Sequence, residues 1–538
     1  MSEGLAARRF GRDPIQIAMP VVAAAVVAIL LAVAIVQQGR PLWPPQIVDL
    51  PAAALVLVSL LLAIRLPPPA ALWQGLVRLS QTKHPYLLLA ALTFVVLALG
   101  TILVVGTTPT TTDEAVPLYQ ARLFAEFKVI TQYPVGLVNA VIPQADQQAF
   151  VIVSPEGRAI SVYFPGWALL MTPFVWLGAP WMLGPAMGAT AVYMIGRLAA
   201  LLTSARTAVI ALILTLAFGS FLLTGMSLFP AGGHLTLSLI YVWFVLRGKN
   251  RDYFLAGLVG GLALSLNNPF PHAAFAVPWL LWLLLDPTRR RGLVPLCLGY
   301  FPGLALIAGW IVLQGSLATP GAAASGSFWS SKLPQLVNFP SIHSVGLRFF
   351  EVLTAWSWAA PGVLVLAAAG WWQTRGNVAL RLLGVSFVST VLLYTFVPLD
   401  QGVGYGARYF SVAWGGLPIL AAVALSSPGK EALCRFALGA ALIGVLLVVP
   451  LQLVYGNVQY NRGAEPIDAL SGPGVDLYFV DFSHAGAQET VLANDLSHGA
   501  RLELVSQGQA IDQSIVDRWF PGSRLVVHNA YGSGYARP

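Results

Sequence analysis

The chain has 538 residues, of which 57% are hydrophobic and only 10% are charged. Because soluble globular proteins carry about 25% charged residues, this composition excludes that class and predicts an all-α polytopic membrane protein. The net charge of +8 does not indicate nucleic-acid binding, because the basic residues lie between apolar runs, where they orient membrane proteins. Cys297 and Cys434 lie inside apolar runs, which predicts packing roles and not a disulfide or a metal pair.

Apolar runs predict about thirteen transmembrane helices, some shorter than the roughly 20 residues that a span prefers. The first run follows Arg8, Arg9 and Arg12 and is too long for a signal-peptide core, so we interpret it as an uncleaved span. Two of the shorter spans are candidates for broken helices. The predicted spans are 14–36, 47–65, 84–106, 183–202, 207–224, 234–247, 253–267, 272–286, 293–313, 351–372, 379–397, 409–426 and 432–453.

With this count, the basic clusters between spans all fall on one side, which the positive-inside rule makes cytoplasmic. The segment from Pro165 to Ala179 is left out of the count, because a span there would invert every later cluster; we expect a re-entrant or interfacial helix. The orientation predicts a multi-pass protein of the inner (plasma) membrane with a cytoplasmic N-terminus and an extracytoplasmic C-terminus. Loops 107–182 and 314–350 then face outward.

The chain divides into three predicted parts: a two-span segment at 1–83, a transmembrane catalytic domain at 84–456 and a small extracytoplasmic α/β domain at 457–538. In the last part, Val475–Val480 and Arg524–His528 are typical of short strands. Ala510–Phe520 is typical of a helix. A domain of this size has a small core, so we expect it to dock on the membrane domain.

The acidic pair Asp113-Glu114 follows the third span closely. Carboxylates at a membrane boundary are costly to place, which favours a functional role over a chance one. Pro117 suits the first turn of a helix, and the pair lies at the positive end of its dipole. An apolar stripe at helical spacing predicts an amphipathic helix along the membrane surface; it comprises Val116, Tyr119, Leu123 and Phe127.

This segment and the residues after it resemble the C-type glycosyltransferase superfamily. The likeness is strongest to the bacterial relatives of protein O-mannosyltransferases and of the lipid A aminoarabinose transferase. A late Gly406-Ala407-Arg408-Tyr409 turn also fits, and the resemblance covers roughly residues 84–426. Two departures are the two extra leading spans and Asn267-Asn268, where relatives often carry a basic residue. The other matching residues are Asp113, Glu114, Tyr119, Ala121, Leu123, Phe124, Ala125, Tyr163, Pro165, Gly166, Trp167 and Pro185.

The resemblance implies transfer of a sugar from a polyprenyl-phosphate donor to an acceptor hydroxyl on the outer face. The acceptor is a glycolipid, a polysaccharide or a protein, and membrane lipids surround the enzyme. Asp113 is the expected general base, and Glu114 orients the acceptor or a partner of its helix. Arg408 is the first candidate for the departing phosphate, because a guanidinium matches phosphate oxygens in a bidentate way.

Further residues are assigned to the site with less specific roles. No nucleotide domain or cofactor is expected, and the acidic pair has no obvious third acid, so we favour a metal-independent enzyme; a divalent ion on the pair is the alternative. Second-rank phosphate candidates are Arg122, Lys128, His234 and Arg348. The expected substrate pocket comprises Tyr119, Tyr163, Trp167, Asn268, His272, Tyr405 and Tyr409.

Two other functions remain open from the sequence. A flippase or transporter of lipid-linked glycans would need ionisable residues inside its spans, and this chain has few. A ligase of the O-antigen type would rely on outer-loop His and Arg residues more than on an early acidic pair. Substitutions at His234, His272 and His343 would separate the ligase from the transferase.

Overall fold

The computed structural model describes residues 13–36, 44–317, 337–398, 404–481 and 501–538, and most of them are helical. Short helical turns lie at Thr101–Val105, Val135–Leu137, Pro180–Met182, Arg290–Gly292, Gly404–Ala407 and Arg408–Ala413. The helices are α1 (Pro14–Val36), α2 (Pro44–Arg65), α3 (Ala70–Gln81), α4 (Pro85–Gly100), α5 (Thr112–Ala125), α6 (Val138–Val141), α7 (Gly166–Trp176), α8 (Leu183–Leu202), α9 (Ala205–Leu216), α10 (Gly219–Met226), α11 (Ala231–Arg247), α12 (Asn250–Leu264), α13 (Phe270–Leu285), α14 (Leu293–Leu317), α15 (Ile342–Trp358), α16 (Val363–Gln373), α17 (Val378–Tyr394), α18 (Gly416–Ser426), α19 (Glu431–Leu470) and α20 (Gln509–Trp519).

Within the described residues, 6 helices are long and apolar enough to cross a membrane, or up to 9 if each bent helix pair counts as one span. The pairs α9–α10, α15–α16 and Tyr405–Ala413 with α18 bend by 71°, 102° and 78°. The many apolar helices confirm a polytopic all-α membrane fold. The count of about thirteen spans stays a prediction, because several apolar helices, such as α11, α13 and α17, are shorter than a full crossing.

Helix α5 forms where the sequence predicts a helix, but the predicted amphipathic character is wrong; its place at the membrane surface stays a prediction. Nearly every side chain from Glu114 to Leu123 is buried, and α5 packs against α7 and the strand at Arg158–Ser161. Phe127, assigned to the apolar stripe, lies beyond the end of the helix and is 88% exposed. Helix α7 has 11 residues, which is too short to span a bilayer.

Two small sheets lie outside the helical bundle. Strands β1 (Thr131–Gln132), β2 (Val151–Val153) and β3 (Arg158–Ser161) form an antiparallel sheet in the order β1-β3-β2. In the tail, β4 (Leu477–Val480), β5 (Leu502–Val505), β6 (Arg524–Asn529) and β7 (Gly532–Ala536) form a sheet in the order β5-β4-β7-β6, with β4 and β5 parallel. Strands β4 and β6 and helix α20 lie where the sequence predicts them, whereas residue 457, the predicted domain boundary, falls inside α19.

The tail and loop 107–164 share one apolar core, here called the joint core. It brings strands β4 and β5 and helix α20 against α5, α6 and the β1–β3 sheet. Because α5 carries the acidic pair at its first turn, the tail packs against the element that places the candidate base. The buried members of the joint core are Ala115, Val116, Tyr119, Leu123, Tyr133, Leu137, Val138, Ala140, Val141, Ile142, Val151, Val153, Ala159, Leu477, Phe479, Leu502, Leu504, Ile515, Val516 and Tyr535.

The joint core predicts that damage in the tail spreads to loop 107–164. Phe479 is fully buried and packs edge-on against Tyr535, with ring centroids 5.7 Å apart. Phe479→Ala should lower the free energy of unfolding by about 3–5 kcal/mol and expose loop 107–164 to protease. Limited proteolysis with mass spectrometry measures this, with Leu525→Ala, a 41% exposed position, as the control. Unchanged protection of the loop in Phe479→Ala would contradict a shared core.

Candidate active site

Asp113 lies in the first turn of α5 and uses both carboxylate oxygens. Its Oδ2 accepts a hydrogen bond from a guanidinium nitrogen of Arg408 at 2.7 Å, and its Oδ1 accepts one from the Tyr163 hydroxyl. The Arg408 and Asp113 side chains are 13% and 23% exposed, so the ion pair is partly shielded from water but still accessible. A charge-assisted bond of this kind fixes both groups more firmly than a neutral bond would.

Glu114 points away from Asp113 and is buried. Its Oε2 accepts bonds from the backbone N–H and the hydroxyl of Thr110, both at 2.8 Å. Its Oε1 accepts a bond from the backbone N–H of Leu228, also at 2.8 Å. Burial raises the pKa of the Glu114 carboxyl, and the bonds from Thr110 and Leu228 partly oppose that rise. Glu114 therefore joins the start of α5 to the segment between α10 and α11.

The backbone of Leu228 is held from both sides. Its N–H donates to Glu114, and its carbonyl accepts a 2.8 Å bond from the indole N–H of Trp167. The next side chain, Phe229, places its ring under the Arg408 guanidinium, with 4.5 Å from Cζ to the ring centroid. Glu114 and Trp167 thus act behind the cleft, where they hold Leu228, the residue next to the ring that the cation contacts.

Arg408 follows an unusual turn. Tyr405, Gly406 and Ala407 all have left-handed backbones, with φ of 55°, 76° and 59°. Left-handed φ values in residues other than glycine store strain of roughly 1–3 kcal/mol each and persist only where surrounding contacts enforce them. At Gly406 a Cβ atom would come within 2.0 Å of Ser220 Oγ, so only glycine fits. The turn aims Arg408 back towards Asp113.

A cleft opens beside this ion pair, and its floor is formed by the start of α11 and the turn before α13. His234 Nε2 and Asn267 Oδ1 are 2.9 Å apart, and the Asn267 oxygen also accepts the N–H of Asn268 at 2.8 Å. Carboxylate, guanidinium, amide, imidazole and phenol groups thus converge on one cavity. Its lining residues are Asp113, Phe229, Pro230, Ala231, His234, Asn267, Asn268, Pro271, Arg408, Tyr409 and Ser411.

The predicted site residues separate into two groups. Asp113, Arg408, His234, Asn268 and Tyr409 line the cleft. Tyr163 bonds to Asp113, whereas Tyr405 packs behind the cleft against Phe229, at 5.4 Å between ring centroids.

The other predicted residues lie outside the cleft lining. Tyr119 belongs to the joint core. The ring nitrogens of His272 contact the hydroxyls of Ser238 and Tyr300, at 3.0 and 2.9 Å, deep between helices.

Three basic residues predicted to contact the donor phosphate are also absent from the cleft lining. Arg348 is buried and forms an ion pair with Glu351. Lys128 pairs with Glu126 at 2.6 Å, beyond the far end of α5. Arg122 lies in the last turn of α5.

Sequence reasoning did not assign Phe229 or Asn267 to the site. Phe229 is an apolar residue in an apolar stretch, and only the following Pro230, which marks a helix break, signals its position. Asn267 stood out only as one of an Asn pair before a proline. Among the residues that the structure describes, no group of three or more His, Cys, Asp or Glu side chains is placed to hold a metal ion. Metal independence stays a prediction.

The anchoring role of Glu114 predicts that its amide analogue will not replace it. In Glu114→Gln, one of the two terminal atoms becomes a donor and faces the N–H of Leu228 or the donors of Thr110. One unsatisfied buried donor should lower the free energy of unfolding by about 1–3 kcal/mol in thermal or denaturant unfolding in detergent. Glu156→Gln, at a 63% exposed side chain, is the control.

The pKa of Glu114 adds a pH signature to the same measurement. Because folding raises this pKa, the contribution of Glu114 is fully present below the ordinary range of Glu, about 4.3, and is lost as the pH rises through the folded-state value. The advantage of the wild type over Glu114→Gln should therefore shrink as the pH rises. An advantage that grows with pH would contradict the assignment.

No family model and no curated protein matches this chain. Among solved structures, the chain is similar to ArnT from Cupriavidus metallidurans, both bound to undecaprenyl phosphate and in the apo state. The TM-score is 0.54 in both cases, with 13% and 12% identity, and the match covers 84% of this chain and 98% of that chain. The chain therefore shares the fold of ArnT, and the resemblance to C-type glycosyltransferases is confirmed at the level of the fold.

Proposed function

We propose that this protein is an integral-membrane glycosyltransferase that moves a sugar from a polyprenyl-phosphate donor to an acceptor hydroxyl. The observation that carries the proposal is the ion pair of Asp113 and Arg408, at 2.7 Å, on the wall of a cleft. It sets a proton acceptor next to an anion-binding cation. The fold supports the donor class, because one of the similar ArnT structures is bound to undecaprenyl phosphate.

The two charges divide the reaction between them. The acceptor hydroxyl attacks the anomeric carbon and gives its proton to Asp113. The bond from that carbon to the phosphate oxygen breaks, and its electron pair leaves with the lipid phosphate. Arg408 stabilises the negative charge that develops there. The ion pair requires an ionised Asp113, which is the form that takes up a proton.

In the structure, the guanidinium occupies Oδ2 of Asp113. A guanidinium has five N–H donors, so an arriving phosphate can bind to Arg408 while one bond to the carboxylate remains. Tyr163 holds Oδ1 from the opposite side and keeps the carboxylate facing the cleft. Donor binding therefore loosens the ion pair and frees a lone pair for the acceptor proton. His234, Asn268 and Tyr409 supply hydrogen-bonding groups for the sugar.

The proposal places the cleft on the extracytoplasmic side of the inner membrane. The distribution of basic residues supports this orientation. With the predicted spans, the loop that carries Asp113 and the tail lie on the side opposite the Arg and Lys clusters. On that side nucleotide-activated sugars are not the expected donors, which fits a donor carried by a membrane lipid. A cysteine placed at the exposed position 127 (Phe127→Cys) tests this orientation. A membrane-impermeant thiol reagent added to intact cells should label it, and labelling only after the cells are opened would contradict the orientation.

The role of Asp113 predicts the loss of transfer on amide substitution. Asp113→Asn keeps the size of the side chain but removes the base and the negative charge that pairs with Arg408, so transfer should fall about 10²–10⁴-fold, measured with a labelled polyprenyl-phosphate sugar. Asp517→Asn, on the exposed face of α20, is the matched control. Turnover in Asp113→Asn equal to that of the wild type would overturn the mechanism. Movement of labelled lipid between leaflets without product would favour the transporter.

The role of Arg408 predicts weaker binding of the lipid phosphate. Arg408→Ala should weaken the affinity for undecaprenyl phosphate by about 10–100-fold, the value of a charge-assisted contact, and Arg408→Lys should lose less. A titration of the purified protein with undecaprenyl phosphate measures this. Arg158→Ala, at a 47% exposed outer-loop side chain, controls for the loss of a positive charge. Equal affinities for Arg408→Ala and the wild type would remove Arg408 from the donor site.

A further inference from the structure

A buried acid in the N-terminal pair of helices has no part in the chemistry proposed above. Asp49 lies on α2 and is 1% exposed. Its Oδ1 accepts a 2.7 Å bond from the indole N–H of Trp358, and its Oδ2 accepts a 2.9 Å bond from the hydroxyl of Thr354. A carboxyl group inside a membrane helix is costly and is by default a functional hypothesis. Both of its oxygens are directed at α15, so its function lies there.

Trp358 is the last residue of α15, and it presses directly on the turn that aims Arg408. A Cβ built on Gly406 would lie 2.6 Å from Cβ and 2.7 Å from Cγ of Trp358. The third atom close to that position is Ser220 Oγ. The left-handed backbone of Gly406 therefore rests against the base of the indole. A shift of Trp358 would therefore remove a packing contact between α15 and this turn.

A second line of contacts joins Trp358 to the cation through aromatic rings. Trp358 meets Tyr455 edge-on at 5.9 Å, and Tyr455 meets Tyr405 at 6.2 Å. Tyr405 meets Phe229 at 5.4 Å, and Phe229 carries the Arg408 guanidinium at 4.5 Å. Trp358 thus contacts the strained turn at Gly406 and reaches the guanidinium through three further rings.

We propose that Asp49 is a positioning residue, which orients Trp358 and thereby holds the left-handed turn 405–407 in the conformation that places Arg408 against Asp113. The proposal rests on the proposed function for its effect on the lipid phosphate, but not for its effect on the turn. Helix α2, one of the two leading helices, would then help to position a residue of the site, although it precedes the part of the chain that resembles the family.

The physical reason lies in the strain of the turn. Tyr405 and Ala407 have backbones that L-residues avoid, so the turn relaxes when its surroundings stop enforcing it. A hydrogen bond to a carboxylate restricts the rotation of the indole, and its loss leaves only packing to hold the ring. Loss of the Asp49 bond therefore frees the ring against which Gly406 packs.

The test compares Asp49→Leu, Asp49→Asn and the control Ser59→Ala with the wild type. Asn keeps one oxygen for the Trp358 N–H, and its amide group can donate to the Thr354 hydroxyl, so Asp49→Asn should behave as the conservative rescue. Ser59 is also buried on α2, but its hydrogen bond within the described residues goes to the Leu55 carbonyl of its own helix. Trp358→Phe removes the N–H and keeps most of the ring, and it replaces Asp49→Leu if that variant does not fold.

The first readout is hydrogen–deuterium exchange of the peptide 404–413 in the purified protein. We expect at least about 10-fold faster exchange in Asp49→Leu or Trp358→Phe, and less than about 3-fold change in Asp49→Asn and Ser59→Ala. Unchanged exchange in Asp49→Leu and Trp358→Phe would overturn the proposal. Equal acceleration in Asp49→Asn and Asp49→Leu would also overturn it, because the bond to Trp358 would then not be the cause.

The second readout is the affinity for undecaprenyl phosphate, measured in the wild type and in the Arg408→Ala background. Asp49→Leu should weaken binding about 10-fold alone and add no further loss in Arg408→Ala, because it acts through that side chain. An additive loss would overturn the positioning role. No binding by the wild type would count against the proposed function alone, since the exchange experiment still decides the role of Asp49.

Discussion

The site depends on one ion pair that joins Asp113 and Arg408, two residues 295 positions apart in the sequence. Neither partner is fixed by its own local structure alone. Asp113 lies in the first turn of a helix, and Tyr163 holds its carboxylate. Arg408 follows a turn of three residues with left-handed backbones, two of which are not glycine. The surrounding contacts form two sets, one that positions Asp113 and one that positions Arg408. Both sets include the Leu228–Phe229 segment.

The adjacent acids show how neighbouring residues of one type acquire different roles. Successive side chains on a helix point about 100° apart, so Asp113 and Glu114 cannot both face the cleft. Asp113 faces it, and Glu114 enters the protein, where it receives bonds from Thr110 and Leu228. Glu114 has no part in the proposed reaction, but its removal would displace Asp113, because Glu114 fixes the start of α5 and the segment that carries Phe229.

The sequence was informative where a motif or a composition leaves few alternatives. Low charge and long apolar runs indicate a helical membrane protein, and the Gly406–Tyr409 motif brings Arg408 into the same site as Asp113. Residues such as His272 and Arg348 were harder to place, because a polar side chain in an apolar run either faces a cleft or pairs inside the bundle, and the spacing is the same. The structure pairs Arg348 with Glu351 and His272 with Ser238 and Tyr300.

Hydropathy also does not predict where a helix bends or which of its sides is covered by other parts of the protein. The 102° bend between α15 and α16 lies within one predicted span. The prediction that α5 is amphipathic is wrong because its polar residues are satisfied inside the protein: Gln120, for example, bonds to Val129 and Ser161. Strand β7 has the sequence GSGYA, whose glycines disfavour a strand, and it pairs with β4 and β6 all the same.

The joint core has a consequence for how the protein is made. The ribosome delivers α5 and the β1–β3 sheet long before it delivers β4, β5 and α20, which cover their apolar face. During that interval the loop offers unburied Val116 and Tyr119 to chaperones and proteases. The helix that bears the acidic pair gains its final packing only when the tail has been synthesised, so assembly of the cleft is coupled to the completion of synthesis.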